Sequence, residues 1–226
     1  MSTVLVVDDE PIVRDVVVRY LERDGYRTVQ ASNGDDAREL IEREALSLIV
    51  LDVMLPGISG LELCSWIRSR SEVPIVLLTA LGEEADRIVG LELGADDYVT
   101  KPFSPRELAV RVRNLVRRAV RPSAGPTKTI AFGDVLIDPT AREVRKGGEL
   151  LKLTLKELDL LLFFASNARH VFSRDQLMDR VWGYESALDT GTVTVHVRRL
   201  RQKIEDDASH PRHLETVFGV GYRFTL

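Results

Sequence analysis

Five short apolar runs, at residues 4–7, 28–31, 47–51, 75–79 and 98–100, recur through the first half of the chain, and amphipathic patterns separate them. Ile12, Val16, Val17 and Leu21 repeat at helical spacing, as do Leu108, Val112, Leu115 and Val116, and Leu61 with Ile67 fits the same period. Strands alternating with helices of this length predict a mostly parallel, doubly wound sheet. The run from Leu46 to Gly57 is the densest. It has no polar alternation after Ser47, so its strand should be covered on both faces. It delivers a single carboxylate, Asp52, before Pro56-Gly57 breaks it.

Sheets of this kind bind ligands beyond the carboxyl ends of their strands. The first run ends in Asp8-Asp9-Glu10, the third in Asp52, the fourth in Thr79 and the fifth in Lys101-Pro102. Three carboxylates gathered within roughly 5 Å would repel by about 3 kcal/mol per pair at an effective dielectric near 20. They need a cation, and hard oxygen ligands select Mg²⁺, which prefers a few carboxylates plus a phosphate. This pattern fits phosphoryl transfer. Asp52 is then the nucleophile, Asp9 a direct metal ligand, Asp8 a ligand through water or a support behind the direct ligands, and Met54 a contributor through its carbonyl. Lys101 and Thr79 would bind phosphoryl oxygens. Asp9, preceding Glu10-Pro11, suits a helix N-cap equally well. A phosphatase with an aspartate nucleophile is the enzyme alternative, but its Asp-x-Asp spacing is absent from Asp8-Asp9-Glu10.

These segments, together with residues 90–98 and Thr100-Lys101-Pro102-Phe103, resemble the receiver domain of two-component response regulators over residues 2 to about 120. The resemblance implies a flavodoxin-like strand order 2-1-3-4-5, a phosphohistidine on a sensor histidine kinase as donor, a Mg²⁺ requirement, and a cis Lys101-Pro102 bond. It implies a switch in which Thr79 moves towards the phosphoryl group and the Tyr98 ring turns inward. Resemblance to the OmpR/PhoB subfamily adds a symmetric dimer face. There Arg87 meets Glu107, Asp97 meets Arg111, and Glu92 meets Arg113 across a two-fold axis.

Residues 121–127 read as a linker, and the period changes beyond it. Short runs at 130–132, 135–137, 143–145 and 150–153 predict a small antiparallel sheet. Thr154-Leu-Lys-Glu157 and Ser173-Arg-Asp-Gln176 are capping boxes that open two helices. A third helix is expected from Asp189–Thr192 to about Glu205. Val193, Val197, Leu200 and Ile204 give it one core stripe, and its outward face should present Val195, Arg198, Arg199 and Gln202, flanked by Thr194, His196, Arg201 and Lys203. Such a basic helix suits the DNA major groove. Net charge supports this division: the chain carries −4 overall, with −5 through residue 121 and +1 beyond it. Nucleic-acid contact therefore has to come from a local patch in the second half.

The tail, with Gly219-Val-Gly221 between two strand-like runs, predicts a hairpin. The whole segment 128–226 resembles the winged-helix effector domain of the same subfamily, through His196-Val-Arg-Arg-Leu-Arg201 and Gly219-Val-Gly-Tyr-Arg223-Phe. The resemblance implies Arg199 and Arg201 at bases or phosphates, Val195 against a thymine methyl, and Arg223 in the minor groove. Trp182, Thr192, His196 and Arg198 become phosphate contacts. Gly191 and Thr194 depart from the subfamily's usual Arg and Asp.

The expectation is an α/β receiver domain, 1–120, followed by a smaller α+β winged-helix domain, 128–226, in a regulator that catalyses only its own phosphoryl transfer and dephosphorylation. Its partners would be a histidine kinase, tandem half-sites of duplex DNA, a second copy of itself on phosphorylation, and RNA polymerase. A protein-binding second domain is the competing reading. With 44% hydrophobic residues, mean hydropathy −0.06 and no basic leader, the chain is expected in the cytoplasm and off the membrane. The single cysteine, Cys64, offers neither a disulfide nor a zinc spacing.

Overall fold

The computed structural model describes residues 2–80, 84–120, 128–183 and 191–226, leaving aside the side chains at 84–87, 118 and 120. The expected linker and the expected first residues of the third helix of the second half, 189 and 190, lie outside the described residues. Two compact units form, Met1–Val120 and Arg121–Leu226.

In the first unit, β1 (Thr3–Val7), β2 (Arg27–Ala31), β3 (Leu48–Asp52), β4 (Ile75–Ala80) and β5 (Asp97–Lys101) alternate with α1 (Pro11–Arg23), α2 (Gly34–Arg43), α3 (Gly60–Arg68), α4 (Glu84–Leu93) and α5 (Pro105–Val120). All neighbouring strands are parallel, in the order β2-β1-β3-β4-β5. The winding therefore reverses between β1 and β3, and their carboxyl ends flank a crevice. Both strands are buried along their whole length, as an unbroken apolar run between two helical layers requires. β2, at the edge, exposes Arg27 and Gln30.

The opposite end of this sheet is tied by one guanidinium. Arg68, at the end of α3, donates to the carbonyls of Gly94, Ser71 and Val73 and to Asp96 Oδ2. The same Asp96 oxygen accepts the Ile75 amide at 3.0 Å. Arginine can satisfy several acceptors at once because its donors form a planar fork.

The second unit begins with an antiparallel sheet of β6 (Ile130–Phe132), β7 (Val135–Asp138), β8 (Glu143–Lys146) and β9 (Glu149–Leu150), paired in chain order. The last of these is shorter and earlier than the expected run at 150–153. Leu151 and Leu153 pack against the core instead, just ahead of the Thr154 cap. Next come α6 (Leu155–Ser166), β10 (Val171–Phe172) and α7 (Arg174–Leu177), the last continued by a wider π-turn over Met178–Trp182. α8 (Gly191–Ile204) precedes the hairpin of β11 (Leu214–Val217) and β12 (Gly221–Phe224). β12 also pairs with β10, giving the order β10-β12-β11. Both predicted capping boxes are present, at Thr154–Glu157 and at Ser173–Gln176. The core joins Phe164, Trp182 and Phe224 to the expected α8 stripe of Val193, Val197, Leu200 and Ile204.

Candidate functional site

The crevice of the first unit collects its side chains from four strand ends. Asp8 follows β1, fully buried, and Asp52 closes β3 almost as deeply. Lys101, the last residue of β5, places its Nζ 2.8 Å from Asp8 Oδ2 and 2.6 Å from Asp52 Oδ2. The second oxygens of the two carboxylates accept backbone amides, from Glu10 for Asp8 and from Met54 for Asp52. Asp9 is exposed, and α1 is capped by Glu10 with no side-chain bond, so the N-cap alternative for Asp9 is not used. Its carboxylate instead falls in with the other two: one oxygen each from Asp8, Asp9 and Asp52 lie within 4.8 Å of one another.

Local chain geometry fixes Asp52. The Val53 amide donates to the Leu78 carbonyl and the Gly60 amide to the Val53 carbonyl, so the loop after β3 folds back onto the strand end. Gly60 is required there, because a Cβ would overlap the Asp52 carbonyl. Thr79 sits on β4 in register with Thr100, beside the pairing of Ala80 with Lys101. Its Oγ1 is buried and has no hydrogen-bond partner. A buried hydroxyl without a partner is costly and calls for one. The Lys101-Pro102 peptide is cis, and Tyr98 is buried.

Burial pushes the Asp52 carboxyl above its ordinary range, against the hydrogen bond from Lys101, with the Asp8 charge adding to the rise. Burial would lower Lys101, but its hydrogen bonds to Asp52 and Asp8 outweigh that and hold it protonated. One ammonium therefore stands against three carboxylates. An oxygen-only donor set with excess negative charge, two of its three carboxylates buried, fits a hard divalent cation, and the orphaned Thr79 hydroxyl fits an added anionic oxygen.

The charged residues expected on a dimer face also have partners within their own chain. Arg111 binds Asp97 and Glu107 of its own subunit, at 3.1 and 2.6 Å. Within the chain, Arg113 lies 3.9 Å from Asp24. The Arg87 side chain lies outside the described residues.

In the second unit, the outward face of α8 is narrower than its periodicity implies. Thr194, Arg198 and Gln202 are exposed, and Arg201 and Lys203 partly so. Trp182, Thr192, Val195, His196 and Arg199, all expected at DNA, are buried. Two neighbours widen the buried arc. The π-turn puts the Trp182 ring edge-on to His196, with centroids 5.1 Å apart, and α6 brings Glu157 against Arg199 at 2.8 Å and Lys203 at 2.6 Å. Arg201 turns to the hairpin, donating to the Leu214 carbonyl and Thr216 Oγ1. Arg223 pairs with Glu215 on the facing strand at 2.6 Å. The sequence identified Glu157 as a cap, but its bond to Arg199 joins residues far apart in the chain and has no local signature. Tyr222, which donates to Thr194 Oγ1 at 3.3 Å, was likewise unsuspected.

Comparison with known proteins matches residues 4–113 to the response regulator receiver domain and residues 148–224 to the C-terminal domain of transcriptional regulatory proteins. The chain is 45% identical to a Cyanophora paradoxa protein described as "Probable transcriptional regulator ycf27", covering 98% of this chain and 95% of that protein. It is 44% identical to the sensory transduction protein RegX3 of Mycolicibacterium smegmatis, covering 99% of each. Among solved structures it resembles the response regulator DrrB of Thermotoga maritima, an OmpR/PhoB homologue, at 38% identity over 100% of this chain and 99% of that one, with a TM-score of 0.52. Among the described residues no helix is long and apolar enough to cross a membrane.

Proposed function

The chain belongs to the two-component response regulators that join a receiver domain to an OmpR/PhoB-type DNA-binding domain, and on that premise we propose that phosphorylation of Asp52 by a sensor histidine kinase controls how the second unit engages DNA. The observation that carries this reading is the convergence of Asp8, Asp9, Asp52 and Lys101 at the strand ends, with the unpartnered Thr79 hydroxyl on the adjacent end of β4. An Asp52 oxygen attacks phosphorus while the bond to the donor imidazole breaks, and the electron pair leaves with the imidazole nitrogen, which then takes a proton. Asp9 and Asp52, the Met54 carbonyl and, through water, Asp8 would hold Mg²⁺, which when bound neutralises phosphoryl charge. Lys101 holds the carboxylate in place before transfer and offers its charge to the phosphoryl oxygens afterwards. Thr79 supplies a hydrogen bond to one of those oxygens, and Tyr98 follows it as the conformational readout.

Dimerisation through α4, β5 and α5 then pairs two DNA-binding units on tandem half-sites. Arg111 has to exchange or share its partners within the chain for this to happen. On DNA, Arg198 and Arg201 contact phosphates, Thr194 and Gln202 face the groove, and Trp182, Thr192 and His196 act from beneath by fixing the helix. Arg199 can reach the duplex only by leaving Glu157. The same reading places the protein in the cytoplasm, with RNA polymerase as a further partner.

The test is labelling by a small acyl phosphate with Mg²⁺. Wild type should become labelled and bind duplex more tightly, and Asp52→Asn should do neither. A labelled Asp52→Asn variant would overturn the assignment.

A further inference from the structure

We propose that Arg14 is a positioning residue for the cation site, and that by gripping the peptide that carries Asp9 it makes the crevice selective for Mg²⁺ over Ca²⁺. This rests on the reading of Asp8, Asp9 and Asp52 as a divalent-cation site.

Arg14 stands where a helix does not favour a cation. It ends the first turn of α1, a turn without any acid, and the helix dipole is positive at that end. Three carboxylates converge on the adjoining crevice, yet among the described residues none of them, nor any other carboxylate, pairs with the guanidinium. Nη1 donates instead to the Asp8 carbonyl at 2.6 Å, from a side chain that is partly buried. A hydrogen bond from an ionised donor is shorter and about twice as strong as a neutral one. The two cations at the crevice thus have separate tasks. Lys101 meets the carboxylates of Asp8 and Asp52, whereas Arg14 meets main chain and leaves the acidic oxygens to other partners.

The bond acts on Asp9 because the Asp8 carbonyl and the Asp9 amide belong to one planar peptide. Asp8 itself is held at every polar group. Its amide donates to the Ala31 carbonyl at 3.3 Å, Oδ1 accepts the Glu10 amide at 2.9 Å, Oδ2 lies 2.8 Å from Lys101 Nζ, and the carbonyl accepts Arg14. Asp9 is the opposite case: its side chain is exposed, and among the described residues nothing bonds its carboxylate. Where that carboxylate can reach is therefore set by the peptide from which it rises. Turning that peptide would carry the Asp9 oxygens away while the Asp8 carboxylate stayed on Lys101. Mg²⁺ demands near-ideal octahedral ligands at about 2.0–2.1 Å, whereas Ca²⁺ accepts a flexible set at about 2.3–2.6 Å. A fixed Asp9 favours the smaller ion, and a loose one favours the larger.

The test titrates isotope-labelled, full-length chain with MgCl₂ and, separately, with CaCl₂ at constant ionic strength, and reads each affinity from the amide shifts of residues 8–10 and 52–54. Arg14→Met keeps the apolar stem and should weaken Mg²⁺ binding about tenfold, as expected for the loss of one charge-assisted bond. Ca²⁺ binding should change by less than about twofold. Arg14→Lys returns the charge and a donor and should restore most of the Mg²⁺ affinity. Mere loosening of α1 in Arg14→Met would weaken both ions alike, and mere loss of a repelling charge would strengthen both. Either result, or an unchanged ratio of the two affinities, would overturn the proposal. A wild type that binds neither ion would overturn the cation reading and the proposal with it.

Discussion

Glu157→Gln isolates one buried charge and gives the most quantitative check of the second unit. The carboxylate is fully buried and meets Arg199, whose side chain is 9% exposed, and Lys203, at 29%. Gln keeps the shape of the side chain and, with its oxygen on the Thr154 amide, the cap of α6, but its NH₂ then faces the Arg199 guanidinium, so the variant loses the charge and the acceptor beside Arg199. Removing one partner from a buried ion pair costs about 3–5 kcal/mol. The lower end applies here, because Lys203 can turn to water. A loss of about 3 kcal/mol lowers the melting temperature of a domain this size by roughly 12–24 °C.

The chain carries one tryptophan in each unit, Trp66 and Trp182. In a Trp66→Phe background, fluorescence therefore follows the second unit alone. Burial would raise the Glu157 carboxyl, but the charges of Arg199 and Lys203 and the hydrogen bonds from Lys203 and Thr154 hold it below the ordinary carboxyl range. A lowered folded value means that the stabilisation is complete above about pH 4.5 and disappears as pH falls through the folded value. The gap between wild type and variant should thus be widest at neutral pH and close in acid. A gap that stayed constant from pH 7 to pH 3, or a variant melting within a degree of wild type, would refute the reasoning.

Other substitutions probe the crevice and the caps. Thr79→Ala removes an unsatisfied buried hydroxyl, so calorimetry should find stability unchanged or raised by up to about 1 kcal/mol, while the gain in duplex binding on phosphorylation is lost. Gly60→Ala forces the Asp52 carbonyl to move, and single-turnover labelling should slow by about a hundredfold. Ser173→Ala deletes the α7 cap and should cost about 1 kcal/mol, read as a shift in the urea midpoint of Trp182 fluorescence.

Much of this arrangement was legible because it is written in local patterns. The unbroken apolar run at β3 signalled a strand covered on both sides, and its terminal Asp52 pointed to the crevice. Thr154 and Ser173 announced their helices through acceptors three residues on. What escaped was carried by contacts between distant residues. β10 is two residues long and exists because β12 offers it an edge. Periodicity measures which side of a helix is apolar, so it treated everything off the α8 stripe as exposed. It had no means of knowing that Glu157 would draw Arg199 inward, or that a wider turn would carry Trp182 under His196. The dimer-face charges show the same limit: Asp97, Glu107 and Arg111 were recognised as complementary, but sequence does not say whether complementary groups meet within one subunit or across two.

Arg68 and Asp96 give the receiver sheet a fixed pivot. They lock the starts of β4 and β5 to α3, at the end of the sheet opposite Asp52, whereas Thr79 and Lys101 occupy the far ends of those strands. Load applied at the tips cannot slide the strands lengthwise and has to swing them, as a lever swings about its bearing. In the proposed switch, a small displacement beside Asp52 would reach α4 and β5 as a tilt, on the face proposed for a second subunit.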